Sequence, residues 1–197
     1  MLLEAFMFAA LMFVSIQANA ADFDYVDRHD NTVTTTHEAA FHITIGETFR
    51  PLGELHHRQE SNGRMFQVSF AAFADGSDII LIHAERLEAE NGILTYDHLP
   101  QGLIDGIPFG LQEQCIPAEA ALSLADNPEA QFVTERGFDI RLPFYLTQHL
   151  IASEDGNAEL ILSYGRPVDN CTDIPESFTS ETRTRAVNTI TLEHVSD

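Results

Sequence analysis

Four side chains with metal-binding or proton-transfer chemistry fall in one stretch of the chain, Glu54–His98: His57, His83, Glu85 and His98. Imidazole and carboxylate together suit a divalent transition metal, and two histidines with one carboxylate form a known facial set with open positions. His83 and Glu85 are two residues apart, so on a strand they point to the same face. Without a metal, a Glu–His pair can serve general acid–base work. The competing and simpler expectation is that the four residues lie at the rim of a sheet and are solvated. No Gly-x-Ser-x-Gly elbow, Walker loop, Gly-x-Gly-x-x-Gly or His-Glu-x-x-His occurs, so no residue is assigned a catalytic role. A divalent transition metal is the one cofactor the residue types suggest.

The surrounding stretch must position these groups, and it reads as a four-stranded β-meander. Asn62-Gly63 and Asn91-Gly92 each separate strand-like runs. Asn-Gly favours a two-residue hairpin turn, because a type I′ turn needs positive φ at both central residues. Across Asn62-Gly63, Gln59 then faces Phe66 and His57 faces Val68. A turn centred on Asp75-Gly76 would set Val68 opposite His83 and Phe66 opposite Glu85. Across Asn91-Gly92, Glu85 would face His98. The alternation places Leu55, His57, Phe66, Val68, Phe70, His83, Glu85 and His98 on one mainly apolar face, where buried polar groups need partners. The other face, with Ser69, Ile80 and Ile82, reads as mixed and partly wet. Phe73 breaks the parity of Phe66, Val68 and Phe70, which predicts a bulge near Ala71-Ala72.

Further strands are expected at Thr32–Thr36, Phe41–Ile45 and Ala186–Val195. A hairpin is expected from Phe132–Ser153 and Ala158–Arg166, turning at Asp155-Gly156. Pro143 inside the first arm implies an edge or a bulge. Asp22–Asp30 reads as a frayed acidic terminus and Pro167–Thr184 as a polar loop. Leu99–Gln114 mixes Gly and Pro with Leu, Ile and Phe, and reads as a packed crossover or a loop over a cleft. Pro117–Ala125 is the only segment read as a helix after the leader, ended by Asp126-Asn127-Pro128. The sum is an all-β fold: an antiparallel sandwich or partly closed barrel of about eight to nine strands with one short helix.

Residues 1–20 have the pattern of a signal peptide. An apolar run, Ala5–Ile16, precedes Ala18-Asn19-Ala20, a small-x-small cleavage site. Residues 21–197 are expected to form one domain. The run is too short to span a bilayer, and no later segment reaches the required length. This points to a periplasmic or secreted protein. In such a compartment the two cysteines, Cys115 and Cys171, form a disulfide by default.

The formal net charge is −21, and all ten cations are arginine. Such a surface repels phosphate backbones and anionic lipid heads, which argues against nucleic acid and membrane-surface partners. The functional expectation is an exported acidic β-domain that binds rather than transforms. Its partner would be a small apolar ligand held beside Leu99–Gln114, or another envelope protein. The alternative is a metal-dependent enzyme using His57, His83, Glu85 and His98.

Overall fold

The computed structural model describes residues 23–89 and 94–195. The expected signal peptide and the Asn91-Gly92 turn lie outside the described residues. Two antiparallel sheets stack, and short helices cover one of them. The smaller sheet contains β1 (Val26–His29), β2 (Thr32–Thr35), β3 (Phe41–Ile45) and β11 (Ile190–His194), in that order. The larger sheet has seven strands in the order β4-β5-β6-β10-β9-β8-β7. They are β4 (Arg50–Ser61), β5 (Arg64–Asp75), β6 (Asp78–Leu87), β10 (Ala158–Pro167), β9 (Phe144–Ala152), β8 (Ile107–Ile116) and β7 (Gln101–Ile104). The sheets form a sandwich, with neither closed into a barrel. Among the described residues there are more strands than expected, eleven, because the acidic N-terminal stretch and Leu99–Gln114 both pair.

The larger sheet is buried on both faces. Ala71, Phe73, Ile80, Ile82, Ala84, Leu160, Leu162 and Tyr164 pack with Val33, Ile43 and Ile45 of the smaller sheet. Val68, Phe70, Ala72, Ile79 and Leu87 pack on the opposite side with Phe132, Val133 and Phe138. The face expected to be partly wet is therefore a second core. This also removes the expected bulge at Ala71-Ala72. Phe73 belongs to the other face, beside Ala71, and β5 pairs with β6 without a break from Phe66 to Asp75. Near-continuous apolar sequence is what a strand covered on both sides requires. The register shift falls instead in β4, between Pro51 and Gly53.

The first hairpin follows the sequence reading. Asn62 and Gly63 have φ of 52° and 72°, and Gln59 pairs with Phe66 and His57 with Val68. The next turn is centred on Gly76-Ser77 rather than Asp75-Gly76, since Asp75 pairs with Asp78. Partners move by two residues, so Phe70 faces His83 and Val68 faces Glu85. A shift of two preserves the face of every side chain. Among the described residues the fourth strand of the expected meander is absent, since 94–98 are not in a strand: β10 lies beside β6 instead, pairing Glu159 with Glu85.

Leu99–Gln114 is a hairpin, not a crossover, with Asp105 and Gly106 at φ 50° and 80° in its turn. The helix after Pro117 is present as a 3-10 turn, Ala118–Ala120, running into α1 (Ala121–Ala125). Two helices were not expected, α2 (Pro128–Glu135) and α3 (Glu176–Thr189). The segment read as the start of a strand at Phe132 is thus helical, and β9 begins only after Pro143. Strand β9 lies inside the sheet, between β10 and β8, and Pro143 precedes it rather than interrupting it.

Cys115, near the end of β8, and Cys171, between β10 and α3, are bonded, with Cα atoms 5.6 Å apart. Among the described residues no helix is long and apolar enough to cross a membrane.

Candidate functional site

Helix α2 brings a fifth residue to the candidate cluster. Asn127 caps the helix, its side-chain oxygen accepting a hydrogen bond from the Ala130 amide at 2.9 Å, with Pro128 in the first position. Both features are standard helix starts. Glu129 follows in the first turn, where the helix dipole favours a carboxylate. The α2 residues Phe132 and Val133 pack on the larger sheet, and the ring of Phe132 meets that of Phe70 edge-on at 5.7 Å. That contact holds the start of α2 over β4, β5 and β6.

The Glu129 carboxylate is held between two buried imidazoles. His57 Nε2 lies 3.0 Å from one oxygen and His83 Nε2 lies 3.1 Å from the other. His57 projects from β4 and His83 from β6, on the same face and separated by β5. Burial alone would lower the pKa of His83. The Glu129 carboxylate, with Glu85 and Glu159 beyond it, overrides that and raises it to about 9. Burial would likewise raise Glu129. Its contacts with His83 and His57 instead hold its carboxyl well below the usual carboxylate range. At neutral pH this arrangement is an ion pair with a charged His83, in which both histidines spend their Nε2 on one acid.

Glu85 and Glu159 face one another on adjacent strands, β6 and β10. Facing residues of an antiparallel pair have Cβ atoms about 5 Å apart. Oε2 of Glu159 is fully buried and has no hydrogen-bond partner among the described residues. Burial raises the pKa of Glu85 against the pull of His83. Burial and the neighbouring Glu85 raise that of Glu159 to about 8. Two like charges in a shared, dry setting favour retention of a proton.

These groups edge a cavity of about 360 Å³ between the larger sheet and the α1–α2 segment. Phe70, Leu81, Val133, Phe138, Phe144 and Ile161 supply much of its apolar wall, and His83, Glu85 and Glu129 its acid–imidazole side. Gln148 and Ser163, hydrogen-bonded to each other at 3.1 Å, add a neutral polar spot. The volume is at the lower end of the range for sites that enclose small organic molecules.

Of the four proposed metal ligands, the structure brings His57 and His83 together and sets Glu85 on the same wall. His98 is elsewhere: it is exposed, in a turn at residues 97–98. The reason is topological, since the edge of β6 that would have carried His98 is occupied by β10. Among the described residues, no three His, Cys, Asp or Glu side chains are arranged to hold a metal ion. The acids that sequence reasoning missed are Glu129 and Glu159. Asn127-Pro128-Glu129 carries a helix-start signature that was read only as a helix stop. Glu159 alternates with Leu160, Leu162 and Tyr164, so its face was available from parity.

His149 is a separate buried imidazole, opposite Leu162 as the strand pattern implies. Its Nδ1 has no partner among the described residues. Burial lowers its pKa to about 4, so it is neutral in the fold.

Comparison with known protein families, characterised proteins and solved structures finds no match to this chain.

Proposed function

We propose that this chain is an exported binding module whose cavity between the larger sheet and α1–α2 holds a small, mainly apolar molecule. The observation that carries this reading is the half-open cavity of about 360 Å³ with a predominantly apolar wall. Tightly packed interiors leave few voids larger than a water molecule, and an apolar cavity of this size is the default binding site of a fold. The site differs in place from the sequence expectation. Leu99–Gln114 lies in the β7–β8 hairpin, which contributes Gln114 and Ile116, at the end of β8, to the wall. Export rests on the leader pattern of residues 1–20 and on the Cys115–Cys171 pair, which suits an oxidising compartment.

Titration with the neutral dye N-phenyl-1-naphthylamine tests the reading. The chain has no tryptophan, so dye emission is read without indole background. Saturable enhancement at one dye per chain is expected, and Ala120→Trp at the cavity wall should abolish it while leaving the unfolding transition in place. No saturable enhancement, or one unaffected by Ala120→Trp and by Ser163→Leu, would overturn the reading.

A further inference from the structure

We infer that the molecule this cavity accepts carries a protonated amine, seated at Glu85, on an apolar body. The inference rests on the cavity being a binding site and adds the chemistry of the ligand's head group. It follows from the pairing of acids and bases at one end of the cavity. Three carboxyls, Glu85, Glu129 and Glu159, meet two imidazoles, His57 and His83. Both imidazoles are directed at Glu129, at 3.0 and 3.1 Å. Neither Nε2 is hydrogen-bonded to Glu85 or Glu159, and His83 acts on these two acids only through space.

The burial of Glu159 makes this informative. Glu159 is 4% exposed and its Oε2 is unpaired. Glu85 lies beside it and lines the cavity itself. Unpaired buried acids are costly to keep and call for an account. A carboxylate accepts hydrogen bonds and attracts a cation, and an ammonium group supplies both needs with three donors. An ammonium ligand would replace the proton that the Glu85–Glu159 pair retains, whereas a carboxylate or phosphate ligand would meet the Glu129 carboxylate and two further acids at this wall. A neutral alcohol could donate one hydrogen bond but brings no positive charge to the pair. The remaining wall, including Leu81, Phe138 and Ile161, fits a hydrocarbon body.

Three probes of equal chain length separate the head from the body: n-octylamine, 1-octanol and octanoate, titrated by calorimetry into the intact chain at pH 7.5. Octylamine is expected to bind about tenfold or more tighter than octanol, in line with a charge-assisted hydrogen bond, and octanoate weakest. Glu85→Gln should bring octylamine to within about threefold of octanol, read as the ratio of the two affinities in the same variant. Glu159→Gln, which keeps the shape of a buried side chain, should weaken octylamine in the same direction. Equal binding of all three probes, or an octylamine preference that survives both substitutions, would overturn the amine inference and leave the cavity reading standing. Failure of all three probes to bind would overturn both.

Discussion

Nε2 of His83 lies 3.1 Å from Oε2 of Glu129, a residue 46 positions further along the chain. The contact ties the centre of the larger sheet to the first turn of α2, and α2 forms the roof of the cavity. Because His57 takes the other oxygen of the same carboxylate, one acid bridges two strands and one helix. Removing that acid should therefore be felt in stability and in the cavity together.

Glu129→Gln is expected to destabilise the fold by about 3 kcal/mol, because it strands a charged His83 in a buried setting. Urea unfolding monitored by circular dichroism measures this. The titration of the His83 ring, followed by NMR, should fall from about 9 towards or below the ordinary histidine value. A variant as stable as the parent, with His83 still titrating near 9, would show that Glu129 is not its partner.

Stability should be highest in mildly acidic solution and fall as pH rises. The pKa of His83 is raised from 6.5 to about 9 in the fold. Its stabilising contribution is thus complete below 6.5 and is lost as pH climbs to 9. Glu159, raised from 4.5 to about 8, acts in the same direction, because from 4.5 to 8 the unfolded chain gives up a proton that the folded chain keeps. Between 4 and 6.5 the buried His149, lowered to about 4, works oppositely, and His37 is shifted the same way by burial. Below 4.5 the Glu129 contribution is lost as that carboxyl becomes protonated. A shallow maximum between about pH 5 and 6.5 follows, with a fall above it of up to about 1.4 kcal/mol per pH unit for each proton. Urea midpoints from pH 4 to 9 measure the profile, and an alkaline limb that stays level to pH 9 contradicts it.

Gly165→Ala should destabilise by about 1–3 kcal/mol through overpacking. A Cβ at this position of β10 would strike the Phe144 ring and come within 2.7 Å of Leu146 Cδ2. Both neighbours line the cavity, so dye binding should weaken as well. Thermal unfolding and the naphthylamine titration, run on the same preparation, test the two effects. Unchanged values for both would mean that β9 has room to yield there.

Reduction of Cys115–Cys171 should lower stability by about 4 kcal/mol on chain-entropy grounds, given a sequence separation of 56. The Cys115→Ser, Cys171→Ser double variant in urea, compared with the oxidised parent, gives the figure. The bond anchors the segment before α3 to β8, and neither cysteine takes part in the His57–Glu129–His83 contacts. The pH profile of the variant should therefore keep its shape while shifting downward.

Local chemistry was enough to settle the β class, the Asn62-Gly63 hairpin with its register, and the face shared by His57, His83 and Glu85. Each depends on period-two alternation or on one turn whose residues demand positive φ, and such constraints act over a few neighbours. The cysteine pair was legible for a different reason: two thiols allow only one intramolecular pairing. What covers a face, and which strand lies next to which, are not local properties. The apolar run Phe66–Ala74 looked like a strand with a bulge. Only the stacking of a second sheet on one side and α2 on the other shows why both parities are apolar. Glu85 met Glu159 rather than His98 because β10, more than seventy residues away, won the open edge of β6. The enclosed acid–imidazole cluster exists because packing of Phe132 against Phe70 lowers α2 onto the sheet, and that long-range burial is decided by the tertiary fold alone.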